Sequence, residues 1–575
     1  MKVTIAKTSG FCMGVRRAVD LVLDAASTQT GPIKTLGPLI HNPQVLSLLA
    51  EKQITVMETP VTPGTGHVLI RAHGVPPRTI EELHRAGYSV IDATCPRVIK
   101  VQTIIRKYAR QGHTVIIIGD ENHPEVTGLL GFAPGRGVAV NSLEDLRQLP
   151  RFDQAIIVAQ TTQNTALFEA VRDWTRAEHP HYKIFNTICP STQNRQAETE
   201  RLANAVDAMI VVGGYNSGNT QRLAQISAQS GRPVYHVETS QDMDFSTVAD
   251  ARRVGITAGA STPNWIINKI YRDLEATHYK TKGPFVRQLF LFQRLLLLTN
   301  IYLAVGAGFL CYCASHLRYA ERFLPHIVIA VLYVFSMHTL NRLTGIEEDR
   351  YNDPYRAVFY EKHMVLLAVL AIAAGAAGLL VAFFLGPVAF LLLLVMSGLG
   401  LSYNLYLIPE RFQKIRIRRI KDIPGSKTIL ISAAWGVVVS AFPAVASSSL
   451  NLSALLTTIW CAGIVFVRSA FFDIIDMQGN RLAGKETIPI LMGADRTLVF
   501  LNLVLAGLFL LLLVASLLGI VSTLGYALLL FPITSGLLLL AYKKRLVYNG
   551  ARLEFLVESQ FILAGLIGLA WAGLV

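Results

Sequence analysis

The 575-residue chain has no C-x-x-C pair, no G-x-x-x-x-G-K-[ST] loop and no G-x-G-x-x-G turn. Those absences remove the usual signatures of a cross-braced zinc site, a P-loop nucleotidase and a dinucleotide fold. Nor is there the interleaving of aromatic and basic residues that grips single-stranded nucleic acid. The first residues, Met1-Lys-Val-Thr-Ile-Ala-Lys7, lack an apolar h-region and do not read as a secretory signal. The first half is therefore expected in the cytoplasm, where structural disulfides are disfavoured. Cysteine is scarce, six in all, and Cys311, Cys313 and Cys461 lie in apolar runs, where they read as packing residues. Cys12, Cys95 and Cys189 lie elsewhere.

What is present is a split. Up to about Thr281 charged, polar and apolar residues are mixed; from about Leu289 long apolar runs dominate. Much of the net charge of +14 lies in loops between those runs, which speaks for membrane topology rather than for nucleic acid.

In the first half one device occurs three times. Val3-Thr-Ile-Ala reads as a strand, followed by Cys12 and a helix from about Arg16 to Ala26. Tyr88-Ser-Val-Ile-Asp reads as a strand, followed by Cys95 and a helix to about Ala109 with Val98, Val101, Ile104 and Ile105 on one face. Lys183-Ile-Phe-Asn reads as a strand, followed by Cys189 and a helix to about Val206. Pro96 and Pro190 suit the first helical position. A thiol at a helix start faces unpaired N–H groups and the positive end of the dipole, which favours its thiolate. The spacings, 83 and 94 residues, each allow a small α/β unit, and further strands are expected at Val68–Arg71, Thr114–Gly119, Ala155–Ala159 and Ala208–Gly213. The pattern predicts three α/β lobes with parallel sheets around a shared centre. Three widely spaced single cysteines suit an iron–sulfur cluster with one iron left open better than a four-ligand zinc site. Three unrelated buried cysteines would fit the same spacing.

Polar loops follow the expected strands. His41 lies in Ile40-His-Asn-Pro-Gln44, His73 in Arg71-Ala-His-Gly-Val-Pro76, and His123 and Glu125 in Gly119-Asp-Glu-Asn-His-Pro-Glu-Val-Thr-Gly128. Carboxyl ends of strands are where α/β proteins place ligands. Each histidine alone reads equally as a structural hydrogen-bonder; three at equivalent places suggest an anion site. Gly213-Gly-Tyr-Asn-Ser217-Gly218-Asn219-Thr220 and Gly259-Ala-Ser261-Thr-Pro read as phosphate cradles or as ordinary helix caps.

Nine motifs then stand in order: Gly10-Phe-Cys12-x-Gly-Val, His41-Asn, Arg71-Ala-His73-Gly-Val, Asp92-Ala-Thr-Cys95-Pro, His123-Pro-Glu125-Val-x-Gly, Gln160-Thr161-Thr162, Cys189-Pro-Ser-Thr-x-x-Arg-Gln, Asn216-Ser217-x-Asn219 and Ala258-Gly-Ala-Ser261-Thr-Pro. Together they resemble the 4-hydroxy-3-methylbut-2-enyl diphosphate reductase (IspH/LytB) family over roughly residues 1–275. The resemblance implies a trefoil of three α/β lobes around a [4Fe–4S] cluster held by Cys12, Cys95 and Cys189. It implies that His41, His73 and His123, with Thr161, Ser217, Gly218, Asn219 and Ser261, bind the substrate and its diphosphate. Glu125, with Thr161 and Thr162, would deliver protons to the departing hydroxyl. Gly218 stands where some members have a second serine. A ferredoxin- or flavodoxin-type donor would supply electrons.

Nine apolar runs of spanning length follow, near 289–313, 324–341, 363–385, 387–408, 428–446, 452–471, 497–518, 521–541 and 554–575. With a cytoplasmic first half, the cytoplasmic loops carry 18 Lys and Arg, against Arg318 and Arg322 in the opposite loops. Two of those loops are acidic: Asn341 to Arg356, with Glu347, Glu348, Asp349 and Asp353, and Asp473 to Pro489, with Asp476. Carboxylates at a membrane mouth suit Mg²⁺ bridging to a diphosphate; solvated acidic loops are the plainer alternative. Nine helices with two such loops resemble the UbiA-type prenyltransferase superfamily. The second loop resembles its D-x-x-D…G-D pattern, with Asn480 where Asp is usual. The first keeps Asn341 and Asp349, with Gly345 at the middle acid. The resemblance implies Mg²⁺ at Asn341, Asp349, Asp353, Asp473 and Asp476, with Lys421, Lys427 or Lys485 near phosphate. Its substrates would be a polyprenyl diphosphate and an acceptor that the residues do not identify.

The whole reads as an α/β three-lobed reductase domain (1–275), a linker (276–288) and an all-α polytopic domain of about nine transmembrane helices (289–575). It is expected in the cytoplasmic (inner) membrane, multi-pass, in contact with the lipid bilayer, with the reductase domain in the cytoplasm. Two alternatives stay open on residues alone: a reductase on a non-catalytic anchor, and a non-redox metal-binding domain on a membrane scaffold.

Overall fold

Short runs of β-branched and aliphatic residues make the strands of the first half. Thr114–Ile118, Ala155–Ala159 and Ala208–Val212 are buried along almost their whole length, as strands covered on both faces require. The computed structural model describes residues 1–58, 63–320, 324–402 and 423–574, without the side chains at 347 and 348. It divides into units Met1–Thr277 and His278–Val575.

The first unit holds three four-stranded sheets, and every strand pair in them is parallel. One runs in the order Lys2–Ile5, Arg253–Ala258, Ala208–Val212, Val234–Val237. The second runs Ser89–Asp92, His67–Ile70, Ile33–Leu36, Ile54–Met57, and the third Lys183–Ile184, Ala155–Ala159, Thr114–Ile118, Gly137–Val140. In all three, the strand that leads to a cysteine is an edge strand. The next two strands lead to the polar loops, and the outermost leads to none of the expected site residues.

The expected three parallel lobes are therefore present. One feature is non-local: the first lobe is closed by both ends of the unit, Lys2–Ile5 pairing with Arg253–Ala258. Two boundaries differ from expectation. The first helix is Met13–Thr28 rather than starting at Arg16, because Cys12 itself is the cap and its Sγ accepts from Val15 N at 3.4 Å. The third cysteine's strand is only Lys183–Ile184, because Thr187 Oγ1 accepts the Ala159 N–H at 2.7 Å in place of a ladder bond.

In the second unit the described parts of all nine apolar runs fall on helices, but they differ in length. Among the described residues seven helices are long and apolar enough to cross a membrane, or eight if the bent pair Pro284–Leu298 and Ile301–Leu317 is one span. That pair bends by 72° around Asn300, a buried residue in the left-handed region (φ 59°) whose Nδ2 donates to Tyr360 Oη at 2.8 Å. The run at 387–408 is helical over Pro387–Ser402, and its end, with Lys421, lies outside the described residues. Residues 276–288 are mostly helical, in Asn264–Lys280 and Pro284–Leu298. Helix Met364–Leu385 leaves most of its apolar surface uncovered, as a lipid-facing helix does. This half is a multi-pass membrane unit.

Candidate active site

Each cysteine is held by one backbone bond to the neighbouring strand's loop. Cys12 N donates to Ala260 O (3.1 Å), Cys95 N to Ala72 O (3.0 Å) and Cys189 N to Thr161 O (2.9 Å). The acceptors are, or adjoin, Ser261, His73 and Thr161. All three cysteines are free thiols, half-buried, and each caps a helix: Met13–Thr28, Pro96–Arg110 and Pro190–Ala205. A Cβ on Gly14 would lie 2.6 Å from Cys95 Sγ and 4.0 Å from Cys12 Sγ, so both thiols border that glycine. Cys12 and Cys189 also act electrostatically on Cys95. Burial pushes the Cys95 thiol up, against the pull of the Arg97 and Val98 N–H groups. The expected thiolate preference is thus outweighed in the free thiol, because desolvation exceeds what the helix start supplies.

A single tetrahedral zinc ion would draw three sulfurs to within about 4 Å of one another, from Zn–S bonds of about 2.3 Å. Among the described residues the triad whose ligand atoms all lie within 4.8 Å of one another is His41, His73 and His123; the cysteines do not meet that limit. Their wider spacing around one centre fits a cluster better than one ion.

The histidine rings have centroids 5.2, 6.0 and 5.3 Å apart. His123 caps helix Pro124–Leu130, its Nδ1 accepting from Glu125 N at 3.1 Å. His41 Nε2, His73 Nδ1, Arg71 Nε and Asn219 Nδ2 are buried without a protein partner. Buried donors left open in this way call for a ligand. Arg71 acts on all three rings and Arg222 on His123, which opposes a cation there and favours an anion. Burial, then the neighbouring charges, keeps all three histidines below their ordinary value, His123 at about 4.

The glycine turn reaches the same place. Gly214 approaches the His41 carbonyl so that a Cβ would lie 2.8 Å from it, and Ser261 Oγ donates to that carbonyl at 3.2 Å. Ser217 sits at the cap of helix Gly218–Ala228 but makes no side-chain cap bond, so capping does not account for it. Gly218 lies beside Arg222 and Asp120, which pair at 2.8 Å. Glu125 is 1% exposed; Oε1 accepts from Thr161 N (2.6 Å) and Oε2 from Thr161 Oγ1 (2.8 Å). Burial holds its carboxyl above the usual range despite those bonds. Thr162 is tied to Gln160, whose Nε2 donates to its Oγ1 at 3.0 Å.

Sequence reasoning left Arg71, Arg222 and Arg195 without roles. Arg195 is 2% exposed; it donates to the carbonyls of Gly10 and Ala258 and acts on Cys12 and Cys189. Its place inside the Cys189-Pro-Ser-Thr-x-x-Arg motif was the available signal.

In the membrane unit Asp473 is buried and accepts from Thr428 Oγ1. Asp476 caps helix Met477–Leu482. Asp349 pairs with Arg342, and Asp353 caps helix Pro354–Lys362. Asn341 lies in the last turn of helix Leu324–Leu343. The loops meet where Asn352 Nδ2 donates to Asn480 Oδ1 at 3.1 Å.

Fold and candidate site together define an α/β protein with three helix-capping thiols and a histidine triad with unpartnered ring nitrogens, followed in the chain by a helical membrane unit. Residues 3–275 match the family described as LytB protein, and residues 301–564 match the UbiA prenyltransferase family. The 4-hydroxy-3-methylbut-2-enyl diphosphate reductase of Geobacter sulfurreducens is 40% identical over 283 residues, covering 49% of this chain and 100% of that protein. A solved (E)-4-hydroxy-3-methyl-but-2-enyl diphosphate reductase, 40% identical, covers 48% of this chain and 99% of its own, with a TM-score of 0.39. A solved UbiA homolog from Aeropyrum pernix K1, 17% identical, covers 47% of this chain and 98% of its own, with a TM-score of 0.38. The chain belongs to the 4-hydroxy-3-methylbut-2-enyl diphosphate reductase family and carries a UbiA prenyltransferase domain after it. The metal-binding scaffold alternative is not favoured.

Gly14→Ala is expected to displace Cys95 and strip the centre: iron content of the anaerobically purified chain should fall severalfold while circular dichroism stays unchanged. Full iron in that variant would contradict the close approach. Inorganic diphosphate binding at pH 6 should take up protons, because an anion raises histidines that the empty pocket holds down, and affinity should fall as pH rises. Calorimetry in buffers of different ionisation enthalpy reads the proton count; proton release would contradict it.

Proposed function

We propose that residues 1–275 reduce 4-hydroxy-3-methylbut-2-enyl diphosphate to isopentenyl and dimethylallyl diphosphate, and that residues 289–575 form a membrane prenyltransferase. The first part is supported by three thiols at helix starts, each bonded through its N–H to a loop that carries Ser261, His73 or Thr161, by a histidine triad in which His41 and His73 keep unpartnered ring nitrogens, and by the buried Glu125 carboxyl held by Thr161. The three thiols fit a [4Fe–4S] cluster, which when bound would supply an iron without a cysteine ligand and pass two electrons from a ferredoxin- or flavodoxin-type donor. The histidines, Arg71, Asn219 and the N–H groups of the Ser217 and Ser261 turns would fix the diphosphate. Glu125, whose carboxyl burial holds above the usual range and whose oxygens Thr161 orients, would give a proton to the departing hydroxyl. Two electrons and two protons enter; one carbon–oxygen bond breaks and water leaves. The second proton goes to the five-carbon product.

For the membrane half, the two polar loops joined by Asn352 and Asn480 support binding of a prenyl diphosphate with Mg²⁺. The positive loops support a cytoplasmic (inner) membrane location with the reductase on the cytoplasmic side. The fusion puts a source of prenyl building blocks and a prenyl consumer on one chain.

Glu125→Gln should keep diphosphate binding and lower kcat by about 10²–10⁴. An unchanged kcat would remove Glu125 as the proton donor. Asp473→Ala should abolish Mg²⁺-dependent transfer of a radiolabelled prenyl group to membrane lipid acceptors. Transfer at the unaltered rate would leave the membrane half an anchor.

A further inference from the structure

The two acidic loops of the membrane unit differ once their side chains are placed. In the second, the buried Asp473 carboxylate accepts one described hydrogen bond, from Thr428, and a carboxylate has lone pairs for several. In the first, Arg342 Nη1 already donates to both Asp349 oxygens, at 3.1 and 2.9 Å. That pair is well covered: the Asp349 side chain is 16% exposed and the Arg342 side chain 31%. Position 345, one turn before Asp349, is glycine and brings no carboxylate. Asp353 accepts the Arg356 backbone N–H at 3.3 Å and lies 3.9 Å from the Arg356 guanidinium. A metal ion at Asp349 would have to displace a guanidinium or sit beside one.

The loops still border one space. Asn352 bonds Asn480 across them, and Gly479 packs so tightly on Asn352 that any Cβ there would collide. Arg342 and Lys427 both lie within electrostatic reach of His338, and Lys427 and Lys485 within reach of Asp473. Three cations, Arg342, Lys427 and Lys485, thus lie close to the two loops, which suits a polyanion. A guanidinium carries five N–H donors, and the Asp349 pair uses one of the three Arg342 nitrogens.

We propose that Arg342 stands in for a metal ion at the first loop. It neutralises Asp349 through one nitrogen and gives N–H groups of the others to a prenyl diphosphate. The site then works with a single divalent cation, held by Asp473 and Asp476. This rests on the reading of the membrane half as a binder of prenyl diphosphates.

The full chain in lipid nanodiscs tests it, with Mn²⁺ as the ion and geranyl diphosphate as the ligand. Electron paramagnetic resonance counts bound Mn²⁺, and an Asp473→Asn chain supplies the background, the reductase half included. One Mn²⁺ per chain is expected, present only with geranyl diphosphate and absent from Asp473→Asn. Arg342→Ala should weaken the Mn²⁺-dependent part of geranyl diphosphate binding about 10–100-fold, the loss of charge-assisted bonds. Arg342→Lys should recover part of it, since a lysine keeps the charge but not the fork. Two Mn²⁺ in the unaltered chain, or undiminished binding in Arg342→Ala, overturns the inference and leaves prenyl diphosphate binding intact. No diphosphate-dependent Mn²⁺ at all overturns both.

Discussion

The reductase half depends on three backbone hydrogen bonds. Cys12, Cys95 and Cys189 each donate an N–H to the loop of the adjacent strand; for Cys95 and Cys189 the bond continues the register of the parallel ladder past its last regular pair. The same bond that fixes a thiol also fixes Ser261, His73 or Thr161. The candidate metal ligands and the candidate substrate groups are therefore set by one framework rather than assembled separately. In every lobe the cysteine strand is an edge strand, and the loops after the next two strands carry the histidines, Glu125 and the hydroxyl-bearing turns. Rigid placement of this kind is what lets a site hold charge without reorganising.

Burial then sets the protonation of the pocket. It shifts the three histidines and Glu125 toward their neutral forms, the histidines downward and the carboxyl upward. Both shifts have one main cause, desolvation, and opposite uses in the proposed reaction: the histidines would be chargeable by the ligand, and the carboxyl would be a proton source. The two are joined directly, since the Glu125 N–H is bonded to His123 Nδ1. Arg195 adds a buried positive charge beside two of the thiols, where their negative charge would need offsetting.

Much of this was legible in the sequence because it is local. A strand, a cysteine and a proline-started helix occupy a dozen residues, and the motif order carried the three lobes and the pocket residues. What was not legible is non-local. Closure of the first lobe by Lys2–Ile5 and Arg253–Ala258 joins residues some 250 apart. Arg195 looks like a solvated residue on a polar helix until the Gly10 and Ala258 carbonyls are brought to it. The thiol of Cys95 looked like a favoured thiolate because the helix start is visible in sequence and its burial is not. In the membrane half the spans could be marked, but their breaks could not, as the bend at Asn300 shows. The Asp349–Arg342 pair likewise depends on how the chain turns at Gly345.

The central claim is that three cysteines hold a cluster with one iron free for substrate. Iron and acid-labile sulfide analysis of the anaerobically purified full chain, with Mössbauer spectra before and after adding 4-hydroxy-3-methylbut-2-enyl diphosphate, tests it directly. About four irons and four sulfides per chain are predicted, with one iron distinct from the other three and changed by substrate. A colourless chain containing zinc, or four iron signals that substrate leaves untouched, would contradict it.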